Sequence, residues 1–288
     1  MTRFHQAPST YVGQVNLKVR DLDRALWFYR EVIGFRVLDQ SGNTAALTAD
    51  GKTALLRLER PEDVIPKQGR TTGLYHFALL LPSRTDLARI VVHFARIGLR
   101  FGSSDHLVSE ALYLSDPDGN GIEIYRDRDP SEWTWKRDEV EMAVDPLDFR
   151  DLLAAADDKP WNGLPDGTLM GHIHLHVSHL GPAERFYVDG LGFTVVNRYG
   201  GQALFLSTGG YHHHIGLNTW NGVGAPRPAE NSVGLRSFTL VYPDAAARER
   251  AVANLRSMGE DVAEMDGRYE AIDPSGNRVV LVVQGART

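Results

Sequence analysis

Four short segments of this chain carry side chains that bind metals or move protons. His76 begins the run HFALLL, Glu123 stands between isoleucines in GIEIY, His172 leads HIHLH, and Tyr211 opens YHHHIGLN. A lone histidine on an apolar strand is usually a satisfied core residue. A carboxylate among isoleucines, however, is rarely buried without a partner. Two imidazoles and one carboxylate on one face of a metal leave positions open opposite them, the arrangement of non-heme Fe(II) centres that activate oxygen. Those positions accept both oxygens of a vicinal diol and then O2. A further histidine, with an ordinary pKa near neutrality, is free to carry a proton. The chain has no cysteine, so a metal must rest on His, Asp or Glu. Disulfides, thiolate zinc sites and iron–sulfur clusters are excluded on the same ground.

The elements that must position these residues follow from an internal repeat. VNLKVRDLDRALWFYREVIGF from Val15 aligns without a gap with IHLHVSHLGPAERFYVDGLGF from Ile173. GLYHFALLLP from Gly73 matches GLRSFTLVYP from Gly234, and DPDGNGIEIY from Asp116 matches DPSGNRVVLV from Asp273. Shared features in this order indicate a duplicated domain of roughly 130 residues.

Within each copy a smaller unit recurs. Val15, Leu17 and Val19 alternate with Gln14, Asn16 and Lys18, as in a strand. Leu22 to Val32 has helical spacing and is closed by Gly34. Short strands are expected around Thr44–Thr48 and Ala54–Leu58. The pattern restarts with a strand at His76–Leu81, a helix at Arg84–Ile97 and strands at Tyr113–Leu114 and Gly121–Tyr125. The Asp116, Asp118 and Asn120 of the DPDGN stretch read as a hairpin turn rather than a calcium loop. The fold class is therefore α+β, two tandem domains at 9–127 and 169–285. Each is a pair of βαβββ modules forming a curved mixed sheet around a cleft. Residues 128–168 join them as a structured linker with a helix at Asp145–Ala156 and no evident chemistry.

The repeat also tests the candidate residues. Gln14 corresponds to His172, Leu56 to His214, Ser237 to His76 and Val280 to Glu123. Neither domain alone holds a full set. His172 and His214 from the first half of the second domain, with His76 and Glu123 from the second half of the first, give three imidazoles and a carboxylate. The complementary set of Gln14, Leu56, Ser237 and Val280 is a poor metal binder, so one site is kept and its duplicate lost. His172, His174 and His176 share one strand face. Only His172 is in register for the metal, and the other two are candidates to line the pocket. His212 and His214 share a face, with His213 pointing away; a one-residue slip would transfer the role of His214 to His213.

The repeat, the helix ending in FY-x4-GF and the closing DPDGNGIEIY resemble the vicinal oxygen chelate superfamily. It embraces glyoxalases, extradiol dioxygenases and bleomycin-resistance proteins. His106, Tyr113 and Glu123 match a His, a Tyr and a metal-binding Glu that extradiol dioxygenases carry at similar spacings. The layout is similar to that of two-domain bacterial catechol 2,3-dioxygenases. The resemblance implies metal ligands His76, Glu123 and His172, with His214 as the acid–base histidine. It also implies that Tyr113 and His106 hold the substrate and its developing charge. The implied ion is Fe(II), with Mn(II) as the other candidate, and the implied reactants are a small aromatic diol and O2. The better-known members draw all three ligands from one domain, whereas here the set is split. A glyoxalase-like isomerase would use His214 as a fourth ligand. A non-catalytic binder of aromatic compounds would need no ligands at all. The His106–Tyr113–Glu123 spacing and the surviving four-residue set favour ring opening.

Composition narrows the remainder. Hydrophobic residues make up 42% of the 288, as in ordinary globular proteins, and the net charge of −6 gives no field for nucleic acid. No apolar run is long enough for a bilayer, and MTRFHQAPSTYVG lacks the apolar core of a signal peptide. A cytoplasmic enzyme without nucleic-acid or membrane partners is expected. An oligomer is compatible with the sequence.

Overall fold

The computed structural model describes residues 3–285. The first repeat supplies β1 (Tyr11–Lys18), α1 (Leu22–Trp27), β2 (Arg36–Ser41), β3 (Thr44–Thr48) and β4 (Ala54–Glu59). Its second module supplies β5 (Gly73–Leu80), α2 (Arg84–Arg96), β6 (Gly102–Asp105), β7 (Ser109–Ser115) and β8 (Gly121–Asp127). The linker carries a small hairpin, β9 (Trp135–Lys136) and β10 (Glu139–Val140), and α3 (Phe149–Ala154). The second repeat gives β11 (Leu169–His176), α4 (Leu180–Arg185), β12 (Thr194–Tyr199), β13 (Ala203–Ser207) and β14 (Ile215–Asn218). It closes with β15 (Gly234–Tyr242), α5 (Ala245–Ser257), β16 (Val262–Met265), β17 (Arg268–Ile272) and β18 (Arg278–Val283). No helix among the described residues is long and apolar enough to cross a membrane.

The expected modules are present, and their strands form two eight-stranded mixed sheets. The sheets run β16-β17-β18-β15-β1-β4-β3-β2 and β12-β13-β14-β11-β5-β8-β7-β6. Each sheet thus takes one module from either repeat. The joints are antiparallel: β1 on β15 in one sheet and β11 on β5 in the other. Within each module the first strand pairs in parallel with the last, β1 with β4, β5 with β8, β11 with β14 and β15 with β18, and the remaining strands pair antiparallel. One apolar core, including Val15, Leu17, Phe77, Ile173, Leu175 and Phe238, fills the space between the sheets and their helices. This exchange brings residues that the sequence splits between two domains onto neighbouring strands.

The repeated FY and DPxGN motifs are structural and work on each other. The helix that starts at Leu22, capped by Asp21 accepting the Arg24 N–H, is α-helical only to Trp27 and then widens into a π turn over Phe28–Ile33. Gly34 ends it in the left-handed region at φ 98°. The second copy repeats the π turn at Phe186–Gly190. The widened turn buries both aromatic residues of each pair. Tyr29 then donates its hydroxyl to Asp116 at 2.9 Å, and Tyr187 donates to Asp273 at 3.1 Å. Each aspartate also accepts the backbone N–H groups of its own turn, Asp118 and Asn120 in one copy and Ser275 and Asn277 in the other. Asp116 therefore serves a hairpin, as its sequence setting indicates. The linker helix is shorter than expected; it starts after Asp148, which caps the Asp151 N–H.

Candidate metal centre

Strand register assembles the site. On the β11–β5 joint His172 lies opposite Ala78 and His174 opposite His76. On the parallel β5–β8 pair Ala78 lies beside Glu123. His172, Ala78 and Glu123 therefore form one row across three strands, and His76 stands two residues along β5 on the same face. Ala78 is fully buried, and its single methyl leaves the space in which the two flanking side chains meet. His76 Nε2 and His172 Nε2 stand 3.0 and 3.1 Å from the same Glu123 oxygen and 3.3 Å from each other. Ligands about 2.1 Å from an ion and at right angles lie about 3.0 Å apart, so the three donors fit one face of a metal. They are the group of His, Asp and Glu among the described residues whose donor atoms converge in this way.

The electrostatics keep the donors in their ligating forms. Burial opposes the charge on Glu123, but the two imidazoles hold its carboxyl well below the usual range. Burial pushes His172 down to about 4, so the ring is neutral and its lone pair is available. Beyond its Nε2 contacts with Glu123 and His76, His172 is oriented by neighbouring rings and not by a hydrogen bond at its second nitrogen. It lies between Tyr125, with centroids 4.9 Å apart, and His213, at 4.1 Å, and its buried Nδ1 has no partner among the described residues.

His76 and Glu123 face a cavity of about 390 Å³, the size of small-molecule sites. Its walls are mostly apolar and aromatic, with Tyr75, Phe205, Trp220 and Met142 among them, and Tyr199 and Val144 stand exposed at its mouth. Tyr113 lies across β7–β8 directly opposite Glu123. Burial, then the nearby carboxylate, pushes its phenol well above its ordinary range, so it stays protonated. The histidine beside it has its tautomer fixed by its neighbours. His106 Nδ1 lies 2.6 Å from the Ala143 carbonyl, which can only accept. Its Nε2 must then accept the Tyr113 hydroxyl proton, at 2.5 Å.

Residues 11–124 and again 169–281 match the glyoxalase/bleomycin resistance protein/dioxygenase superfamily. This chain belongs to that superfamily. A catechol-2,3-dioxygenase of Bacillus subtilis (strain 168) is 45% identical over 289 residues, which cover 98% of this chain and 100% of the relative. Among solved structures, glyoxalase I from Zea mays superposes with a TM-score of 0.59 at 18% identity, over 96% of this chain and 92% of that one. The cppA protein from Streptococcus pneumoniae TIGR4 does so with 0.56 at 10% identity, over 96% and 99%. At such identities these two structures speak for the glyoxalase-type fold.

Within this glyoxalase-type frame, most of the expected residues converge and one does not. His76, Glu123, His106 and Tyr113 all line the cavity, with His172 beside them against Glu123. His214 does not reach it. Its Nε2–H goes to the Phe4 carbonyl at 3.0 Å and its Nδ1 accepts the Thr208 N–H at 3.4 Å, on the side of the N-terminal segment. The correction is one of register. Val15 pairs with Leu56 and Ile173 with Ile215, so Leu56 is level with Ile215 and not with His214. The ring that lines the cavity is His213, one residue earlier. The three histidines precede β14, in an irregular segment after Gly209–Gly210, where strict alternation gives no guide.

One further contribution carries no sequence motif. The linker supplies Met142, Ala143 and Val144 to the cavity wall and the carbonyl that fixes His106, so it takes part in the site rather than only joining domains. His174 also lines the cavity. Its ring lies over Gly216, where a Cβ would come within 2.7 Å of the ring. His176 is turned instead toward a separate polar cavity, with its Nδ1 2.7 Å from Asn218 Oδ1.

Proposed function

We propose that this chain is an Fe(II)-dependent extradiol dioxygenase that opens the ring of an uncharged catechol-like diol. The observation that carries the reading is the facial His76–His172–Glu123 set opening into an apolar cavity beside Tyr113 and His213. The Bacillus subtilis relative of the same length, named a catechol-2,3-dioxygenase, supports it. When bound, the ion supplies Lewis acidity toward the diol oxygens and redox chemistry with O2.

The protein's own groups do the rest. His76, His172 and Glu123 hold the ion through two neutral lone pairs and one charge. Tyr75, Phe205 and Trp220 pack the aromatic ring, so that the diol edge points at the donors. His213 takes the proton of a diol hydroxyl in the role first assigned to His214, and Tyr113, its own proton held by His106, accepts a hydrogen bond from the other diol hydroxyl. No Lys or Arg lies among the described residues that line the cavity, so a ring substituent meets apolar wall and not a counter-ion. Alkyl- and aryl-substituted catechols are the expected substrates, and carboxylated ones are disfavoured.

Oxygen uptake by anaerobically Fe(II)-loaded protein, followed with a yellow ring-opened product, tests the reading. Uptake with 4-methylcatechol and little with 3,4-dihydroxybenzoate is the expected result. No uptake with any catechol, although the protein binds Fe(II), would overturn it.

A further inference from the structure

His213 lines the cavity and is wired to a buried charge through one ring nitrogen. Its Nδ1 lies 2.8 Å from Nδ1 of His212, and His212 Nε2 lies 2.8 Å from Oδ1 of Asp127. His212 is fully buried, with Tyr211 and Trp133 against its ring. Asp127, at the end of β8, also accepts the Tyr211 hydroxyl at 3.1 Å. Its carboxylate can only accept, so the proton between it and His212 sits on His212 Nε2. A neutral His212 then offers only a lone pair at Nδ1. The proton between the two histidines must therefore come from His213 Nδ1. That leaves His213 Nε2 bare, and it makes no hydrogen bond within the described protein.

We infer that Asp127 and His212 are positioning residues that hold His213 in its Nδ1–H tautomer, with the Nε2 lone pair aimed at the substrate. The inference rests on His213 being the proton acceptor proposed above. In the acid–base step one proton leaves a diol hydroxyl, which becomes the oxyanion, and binds His213 Nε2. The Nδ1–H of the resulting imidazolium stays donated to His212, and the His212 Nε2–H stays donated to Asp127. The aspartate charge thus supports the imidazolium through an aligned pair of hydrogen bonds without itself being protonated. A free imidazole has no such constraint, and a side chain in the wrong tautomer would present an N–H where the step needs a lone pair.

The test is made on the full-length chain loaded with diamagnetic Zn(II) and labelled with 15N at histidine. The His213 signals are identified by their loss in His213→Gln. In the wild type, His213 is expected with its proton on Nδ1 and a bare Nε2. In Asp127→Asn and in His212→Phe, which keeps the ring packing, the proton is expected to move to Nε2. His212→Gln can still donate to Asp127 and accept from His213, and is expected to retain the wild-type tautomer. With Fe(II) and 4-methylcatechol, the first two variants should lose about 10- to 1000-fold in kcat with KM within about two-fold, and His212→Gln should recover most of the loss. A wild-type His213 protonated on Nε2, or a tautomer unmoved in both Asp127→Asn and His212→Phe, would overturn the inference. The tautomer switch without oxygen uptake by any of the proteins would uphold the wiring and reject the dioxygenase reading.

Discussion

The two sheets share a backbone and differ in what their equivalent positions hold. In the β5–β11 sheet the row across the joint reads His172, Ala78, Glu123, with His76 beside it. In the β1–β15 sheet the same row reads Gln14, Thr239, Val280, with Ser237 beside it. The first row directs three donors at one point. The second satisfies itself locally: Gln14 donates to the Ala54 carbonyl at 3.0 Å, and Asn16 donates to Ser237 at 2.7 Å. Space is not what separates them. A cavity of about 640 Å³ opens beside Gln14 and Thr239, larger than the one over the metal ligands. What makes a site here is the convergence of three metal-ligating atoms on one point, and a hollow lined by amides and hydroxyls bonded to their neighbours is not one.

The largest contrast should come from the donors. His76→Ala or Glu123→Gln should lower bound metal, read by plasma mass spectrometry, and turnover by more than about 100-fold, the upper end of what outer-shell changes cost. Ser237→Ala and Val280→Ala, at the matching places, should change neither. Next comes the proton acceptor. His213→Ala should lower kcat by about 10²- to 10⁴-fold, as loss of a general acid–base does. His214→Phe should leave kcat within about two-fold but lower stability by about 1–3 kcal/mol in urea titration, because the Phe4 carbonyl is left buried and unpaired. The reverse pattern for these two neighbours would restore His214 to the site.

The space between the donors gives a subtler contrast. Ala78→Val should push His172 and Glu123 apart and weaken metal binding about ten-fold, with the core strain of about 1–3 kcal/mol that overpacking brings. Thr239→Val in the other sheet should leave metal binding unchanged. The smallest difference is expected at the turns. Asp116→Ala and Asp273→Ala each remove the acceptor of a tyrosine hydroxyl and of turn N–H groups, and should destabilise the fold by similar amounts of about 1–3 kcal/mol. A large inequality there would show that the halves differ in structure as well as in chemistry.

The legibility of the site follows from the same contrast. His76, Glu123 and His172 are readable because they lie in regular strands, where a period of two and a gapless repeat fix the facing residue. The pairing of modules across the repeats is readable from chemistry alone, since only the crossed combination gathers a ligand set. His213 is not readable in that way. Between Gly209 and Ile215 the chain is irregular, and no alternation tells which of three adjacent imidazoles turns inward. The linker's share in the cavity leaves no trace in sequence, because it contributes a carbonyl and small apolar side chains, which any segment possesses. The FY and DPxGN motifs are the converse case: conspicuous in sequence, and used for folding.

The exchange of modules also sets an order of events. As the chain leaves the ribosome, His76 and Glu123 are made long before His172, and β5 has no partner strand on its open edge until β11 emerges. The first sheet waits longer still, since Tyr11 pairs with Val241 near the other end. Neither repeat can complete a sheet by itself, so the newborn first half is an unpaired edge in search of a strand, a state that invites pairing with another chain. The three donors stand together only once β11 has paired with β5, so an ion would be captured late and would then tie residues of both repeats.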